Sequence, residues 1–517
     1  MNKKWEHDMK KLLCLLLLCP VAFCIFAGCN SQKQPSESTL PDITSSSESV
    51  SDEKTNGPEL EEILPDVTSL RKRNTDGRIS LNVISNVTAV DSPGLFIGDN
   101  PYIIDEVTEQ ILGNVKEALG FSSIRWRSTS KADLEGYVNA AFNEVGDEGE
   151  QIDVIIGDPK TMVTLSTKGM LSPINYYDKY VDLSNSWYPE NILEDTMVAG
   201  NAYFVIGDMW DDYLMSVYGY VFNKELLPKV GVDDKALYSL VREGKWTVDE
   251  MIRIFGTYYV DADGDGKPSS RDGYGVTVNA HAFFHGAGLK YYELDGEGKT
   301  QNSVNMALGL TGDRSKGLFN ALSELIYVKG RVSGSSFLEE WKTVSGSHSL
   351  YTYSKLAKET DKSFGIIPIP KYDVSQRSYY SGAYDSSYAM FGIFSGNKDL
   401  VYEENAAAFI EYMGYYGKTV LHDARTREAF GDSYSAHTED VYMLELIRRC
   451  RRIDFPTAVQ SVSSSYYSGL EKGQAWEQFV NTFNNQSRPL ADNAKKLSSK
   501  YNELASKFQN PYLYPYE

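Results

Sequence analysis

The period of the apolar positions changes repeatedly after residue 78. In ISLNVIS (79–85) apolar and polar residues nearly alternate, which predicts a strand. Ile104, Val107, Ile111, Val115 and Leu119 then step by three and four, the spacing of one helical face. SSIRWRS (122–128) reads as a second strand and IDVIIG (152–157) as a buried third. Between them, Leu134, Tyr137, Ala141 and Val145 make a second helical stripe. Strand, helix, strand, helix, strand in this order predicts a parallel α/β sheet with helices on both faces.

Further along, Thr247-Val248-Asp249-Glu250 is a capping box ahead of Met251, Ile254 and Phe255, and predicts a helix start. FGIIPIP (364–370) predicts a strand stopped by its prolines, and Asn405 to Met413 a short helix. After Pro489, Leu490, Ala494, Leu497, Tyr501, Leu504 and Phe508 again step by four and three, so the end is expected to be helical. No short-period internal repeat is present.

The first residues follow another logic. MNKKWEHDMKK carries four lysines, and Leu12 to Phe26 is an almost unbroken apolar run. That is the layout of a signal peptide, with a membrane anchor as the alternative. The run ends in Phe26-Ala27-Gly28-Cys29, which resembles the lipobox of bacterial lipoproteins, so lipid is expected on Cys29. Two acyl chains suffice for stable anchoring. Of the five cysteines, Cys14, Cys19 and Cys24 would leave with the signal; Cys450 alone would remain as a thiol. The mature chain then has no intrachain disulfide and no cysteine-cluster zinc site. NSQKQPSESTLPDITSSSESVSDEKTNG (30–57) has too few large apolar side chains to offset ordering entropy and reads as a disordered tether. The formal net charge of −20 disfavours nucleic acid as a partner.

DADGDGKPSSRDGYG (261–275) has the spacing of a calcium loop. Oxygen ligands are expected at Asp261, Asp263, Asp265, the Lys267 carbonyl, Ser269 and Asp272, with Gly266 at the sharp turn. The plain alternative is an acidic surface turn. If Ca2+ binds, the loop is a structural clip, since no second hand accompanies it.

Signs of catalysis are weak. The Gly298-Lys299-Thr300 and Gly417-Lys418-Thr419 triplets lack the glycine that a phosphate-binding loop needs; Glu293 and Tyr412 stand there. His281 and His285 have metal-pair spacing, but Ala282 replaces the glutamate of a zinc protease. No Gly-x-Ser-x-Gly elbow occurs. Paired carboxylates such as Asp211-Asp212 leave a glycoside hydrolase open.

Several segments, in order, resemble family 1 extracellular solute-binding proteins, the maltodextrin-binding class of ABC importer receptors. They are IDVIIGDP, Gly169-Met-Leu-Ser-Pro-Ile174, Asn185-Ser-Trp-Tyr188, Val217–Pro228 (VYGYVFNKELLP), Gly244-Lys-Trp-Thr247, Phe364–Lys371 and the stretch Glu404–Met413. Phe337-Leu-Glu-Glu-Trp341 departs from the family pattern, and the calcium loop is an insertion. The resemblance implies no enzyme but a two-lobed, type II periplasmic-binding-protein-like α/β fold that closes on a ligand in the cleft between its lobes. On that basis residues 1–28 are signal peptide and 29–77 tether. Residues 78–217 and 378–432 form lobe one; residues 218–377 and 433–517 form lobe two. A carbohydrate ligand, permease subunits and a monomeric state are expected. The 36 tyrosines and seven tryptophans suit sugar stacking and hydroxyl recognition. Trp210 is the expected stacking residue, with Asp208 and Asp211 as hydrogen-bond acceptors. Phe283, Phe284 and Trp341 would be cleft walls, and Tyr384 and Asp385 would lie near the returning strand. A lipid-anchored glycan hydrolase and a non-transport surface glycan-binding lipoprotein are the competing readings.

Overall fold

A computed structural model describes residues 64–75, 78–86, 101–130, 133–143, 151–197, 200–209, 215–267, 272–290, 292–294, 306–308, 313–325, 343–359, 363–383, 388–422, 424, 426 and 438–453. The expected signal segment, the expected tether over 30–57, Cys29 and the expected helix after Pro489 lie outside these residues.

The chain opens with α1 (Thr68–Asn74), β1 (Ser80–Ser85), α2 (Pro101–Leu119), β2 (Ser123–Ser128), α3 (Leu134–Asn143), β3 (Val154–Gly157), α4 (Pro159–Thr167), β4 (Leu171–Ser172) and α5 (Glu190–Thr196). The predicted order is the order found. β1 pairs in parallel with β2 on one side and β3 on the other. Side chains alternate along β3: Val154 and Ile156 face α1 and α2, whereas Ile155 faces α3 and α4. Both faces of the sheet are thus covered, which is why the central β3 reads as a continuous apolar run, whereas β2 at the edge alternates.

Structure begins earlier than expected. Leu70 and Asn74 of α1 are buried, Leu70 against the first-sheet core, so residues 68–74 belong to the folded part and not to the tether. Leu64, Val67 and Leu70 are three apart, a stripe too short to stand out beside the polar stretch ahead of it.

The second sheet contains β5 (Tyr218–Asn223), β6 (Tyr259–Val260), β7 (Gly273–Thr277), β10 (Thr343–Ser349) and β11 (Phe364–Ile367), in the order β11-β5-β10-β7-β6. Between β7 and β10 lies a separate pair, β8 (Tyr292–Leu294) and β9 (Met306–Leu308). Helices α6 (Asp234–Arg242), α7 (Val248–Phe255), α8 (Ala280–Gly286), α9 (Asp313–Ser323) and α10 (Leu350–Glu359) accompany this sheet. At its centre Tyr220 meets Trp246 and Phe283 edge-on, at 5.1 and 6.3 Å between ring centroids. The Trp246 indole donates to the Pro368 carbonyl (2.9 Å), so the one polar atom of that ring is satisfied. The capping box holds in part: Thr247 accepts from the Glu250 amide (3.3 Å), but the Glu250 carboxylate turns to Arg253.

The chain then returns through β12 (Ser381–Gly382) to β13 (Met390–Phe394), continues in α11 (Leu400–Tyr416) and ends its described part with α12 (Thr438–Arg449) and β14 (Arg451–Arg452). β13 completes the first sheet, antiparallel to β3 and β4, giving the order β2-β1-β3-β13-β4. Two α/β lobes therefore share three passages of chain. One leads from Val205, bridged to Phe391, into β5, and the second leads back from β11 to β13. The third runs from α11 on the first sheet to α12, which packs on β11. Val217 and Ala383 bridge the first two passages to each other.

α11 is longer than Asn405–Met413 and is capped by Asp399, which accepts from the Val401 amide (3.0 Å). It buries carboxyls as well as apolar groups. Glu411 accepts from Tyr188 (2.8 Å) and Asn185, and Glu403 from Ser172 (2.7 Å) and Tyr177. Burial pushes the Glu411 carboxyl up to about 7, and that of Asp153, at the start of β3, to about 6. A raised carboxyl means that the native state holds protons the unfolded chain has released. Its contribution is complete below the ordinary carboxylate range and is lost as pH rises through these values. Stability is therefore expected to fall between about pH 5 and 7. Glu411→Gln should flatten that slope by up to about 1.4 kcal/mol per pH unit. Urea denaturation at pH 5, 6, 7 and 8 checks it; equal slopes in variant and wild type would contradict it.

Candidate functional site

In the first sheet β1 connects to β2 on one side, and β2 crosses back over to β3 on the other. The strand order therefore reverses between the carboxyl ends of β1 and β3, where open α/β sheets form a crevice for ligands. Asn86 follows β1 there and Asp158 follows β3. The Asn86 amide donates to Asp158 Oδ2 (2.8 Å) and Thr161 Oγ1 (3.3 Å). Its oxygen accepts from the Asp158 backbone amide (3.0 Å). Asp158 also caps α4, accepting from the Thr161 amide (3.3 Å) and hydroxyl (2.7 Å). These three side chains are buried and hold one another rigidly. Near the end of β2 the Arg127 guanidinium lies over the ring of Tyr137 on α3, 4.1 Å from its centroid, and that tyrosine is exposed.

The second sheet repeats the construction on its parallel pair, β7 and β10. After β7, Asn279 caps α8 by accepting from the Ala282 amide (3.1 Å). Its own backbone amide donates to Ser347 Oγ on β10 (2.9 Å), and its side-chain amide donates to the Tyr218 hydroxyl (3.1 Å). Ser349, the last residue of β10, caps α10 through the Thr352 amide (3.2 Å). Burial depresses His348 to about 4, so its imidazole is neutral near pH 7. Thr277, Asn279, His348 and Ser349 remain half-buried rather than sealed. Each lobe thus ends its parallel strands in fixed, short hydrogen-bonding side chains at helix N-termini. Such an edge suits hydroxyls and other neutral polar groups.

The residues expected to bind ligand fare differently. Asp208 is almost fully buried, with Oδ2 on Arg448 and Oδ1 on Arg451, both at 2.8 Å. Burial alone would raise this carboxyl, but the two guanidiniums outweigh it and hold it below its ordinary value. Asp208 is sealed from solvent with an arginine on each oxygen, so it serves as an ion-pair anchor in the first passage rather than as a ligand contact. Phe283 and Phe284 are fully buried in the core, so they are not cleft walls. Trp210, Asp211, Trp341, Tyr384 and Asp385 lie outside the described residues. Asn86, Asp158, Asn279 and Ser347 were not foreseen. A weak mark was available at Asp158-Pro159: a capping residue followed by proline at the first helical position, directly after an apolar strand.

The acidic loop has the donor set of a hard-cation site. Carboxylate oxygens of Asp261, Asp263 and Asp265 lie within 4.8 Å of one another. Gly264 and Gly266 take positive φ values of 73° and 71°, which lets the chain fold around that centre. Asp272 departs from the expected ligand arrangement. It is buried and accepts from the Ala262 amide and the Tyr259 hydroxyl, both at 3.0 Å, so it braces the base of the loop. Ser269 lies outside the described residues. The Lys267 amide donates to Asp265 (2.8 Å).

No protein-family model and no curated relative matches the chain. Solved structures do. The cyclic α-maltosyl-1,6-maltose-binding protein of Arthrobacter globiformis superposes with a TM-score of 0.54 at 12% identity, over 83% of this chain and 99% of its own. The sugar-binding protein MalE of Xanthomonas citri gives 0.52 at 10% identity, over 83% and 98%. UspC of Mycobacterium tuberculosis gives 0.50 at 13% identity, over 82% and 100%. At such identities the likeness establishes the fold: this chain has the two-lobed architecture of those binding proteins, as the sequence resemblance implied.

Proposed function

We propose that the chain is the solute-binding receptor of an ABC importer and holds a carbohydrate, most simply an oligosaccharide, between its lobes. The observation that carries this reading is the paired construction of the two lobes. Asn279 and Ser349 on the second lobe are half-buried hydrogen-bonding groups fixed before any ligand arrives, and the buried Asn86–Asp158–Thr161 cluster fixes the corresponding strand ends of the first. Preorganised groups lower the ordering cost of binding. Passages of chain between the lobes suit hinge closure. The similarity to solved sugar-binding proteins supports the ligand class. Anchoring through lipid on Cys29, on a tether of polar residues, fits a receptor that works at a membrane surface beside its permease.

A thermal-shift screen against mono- and oligosaccharides should find a stabilising ligand; saturation a hundredfold above its dissociation constant adds about 2.7 kcal/mol. In calorimetry Asn279→Ala should weaken that ligand at least tenfold, about 1.4 kcal/mol, and Trp210→Ala tests the stacking role. Glycosidic turnover of the panel would favour the hydrolase instead. Absence of both binding and turnover would favour a surface scaffold.

Calcium at Asp261, Asp263 and Asp265 is proposed as a clip on the second lobe. Chelator should lower the melting temperature, and Asp263→Ala should abolish the difference while leaving sugar affinity nearly unchanged. A melting curve indifferent to chelator would remove the metal from the picture.

For the anchor, the membrane-extracted protein should have an intact mass that starts at Cys29 and includes lipid. A soluble mature chain starting elsewhere would refute it.

A further inference from the structure

Cations of the second lobe and its trailing strand grip two carboxylates of the first lobe and its outgoing passage. Arg451 and Arg452 are neighbours on β14, where successive side chains point to opposite faces. Arg451 reaches Asp208 at 2.8 Å, and Arg452 Nε stands 3.5 Å from Asp195 Oδ2 at the end of α5. Lys290, just after α8, pairs with the other oxygen of Asp195.

The two grips differ in kind. Asp208 is held by two guanidiniums, and its backbone amide donates to the Trp187 carbonyl (3.0 Å). A Cβ at Gly417, the residue after α11, would lie 1.8 Å from the Asp208 carbonyl oxygen, so backbone packs closely against it there as well. Removing either partner there would strand a buried charge. At Asp195 the Lys290 side chain is 28% exposed. Lys290 can return to water, while Asp195 stays buried beside Arg452, whose guanidinium Nε is near enough to act on its charge but makes no hydrogen bond to it.

We infer that the Asp195–Lys290 contact is a releasable latch between the lobes, and that the Asp208 pairs are the pivot. The latch sets how freely the second lobe swings while no ligand is bound. α8 carries it: Lys290 follows the helix, Asn279 caps its start, and its body rests on the return passage through Gly286 against Ile369 and His285 against Gly382. Only the link to Asn279 rests on the proposed ligand site; the latch itself does not.

The test therefore uses the unliganded full chain. Hydrogen–deuterium exchange and small-angle scattering are compared for wild type, Lys290→Gln and Lys290→Arg. Lys290→Gln should speed exchange at least fivefold in peptides covering 190–197 and 286–290, with β1 and β3 unchanged, and should enlarge the radius of gyration. Lys290→Arg should restore both readouts. High salt should loosen the wild type and leave Lys290→Gln as it was. Unchanged exchange at those peptides, or acceleration spread equally over β1 and β3, would overturn the latch whatever the sugar screen finds.

Discussion

The placement of the two lobes depends on one carboxylate removed from water. An isolated buried carboxylate is far too costly to persist, so Asp208 exists only because Arg448 and Arg451 arrive from a segment more than two hundred residues later. Arg448 has a second carboxylate in Glu445, whereas the ion pair of Arg451 is with Asp208. The outgoing passage, the end of α11 and the α12–β14 segment are consequently fixed at one point. Packing of apolar side chains could bring such segments together in several registers. Paired charges with no solvent to substitute for them accept very few.

Much of the first sheet was legible because its signals are local. Val154, Ile155 and Ile156 declare a buried strand by composition, and Val107, Ile111 and Val115 declare a helix by spacing. β13 was placed with the first lobe only by the family resemblance: Met390–Phe394 is a short apolar run whose partner β3 cannot be known from its own residues. The site was less legible still. Phe283 and Phe284 carry the composition of a sugar-stacking wall, and only the direction in which α8 faces shows them to be core. Asp208 has the chemistry of a hydroxyl acceptor, and only two distant arginines cancel it. In each case the deciding fact is a long-range neighbour.

The residues that replace them at the candidate site share a local job. Asp158, Asn279 and Ser349 cap helices, so their positions are set by the backbone and not by a ligand. A capping side chain sits where a strand ends and a helix begins, which is also where the carboxyl edge of a parallel sheet opens. Structural necessity and ligand recognition thus fall on the same few residues, and capping alone gives no sign in sequence of the second role.

The insertion of one lobe within the other governs the order of assembly. β3 has β1 on one side as soon as both have been made, but its other edge waits for β13, and the whole of β5 to β11 comes between. The second sheet can pair its five strands from one continuous stretch; the first cannot close until that stretch has been synthesised. Contacts so distant in sequence slow folding. Until β13 arrives, the apolar edge of β3 is the part of the nascent chain most in need of protection from other strands.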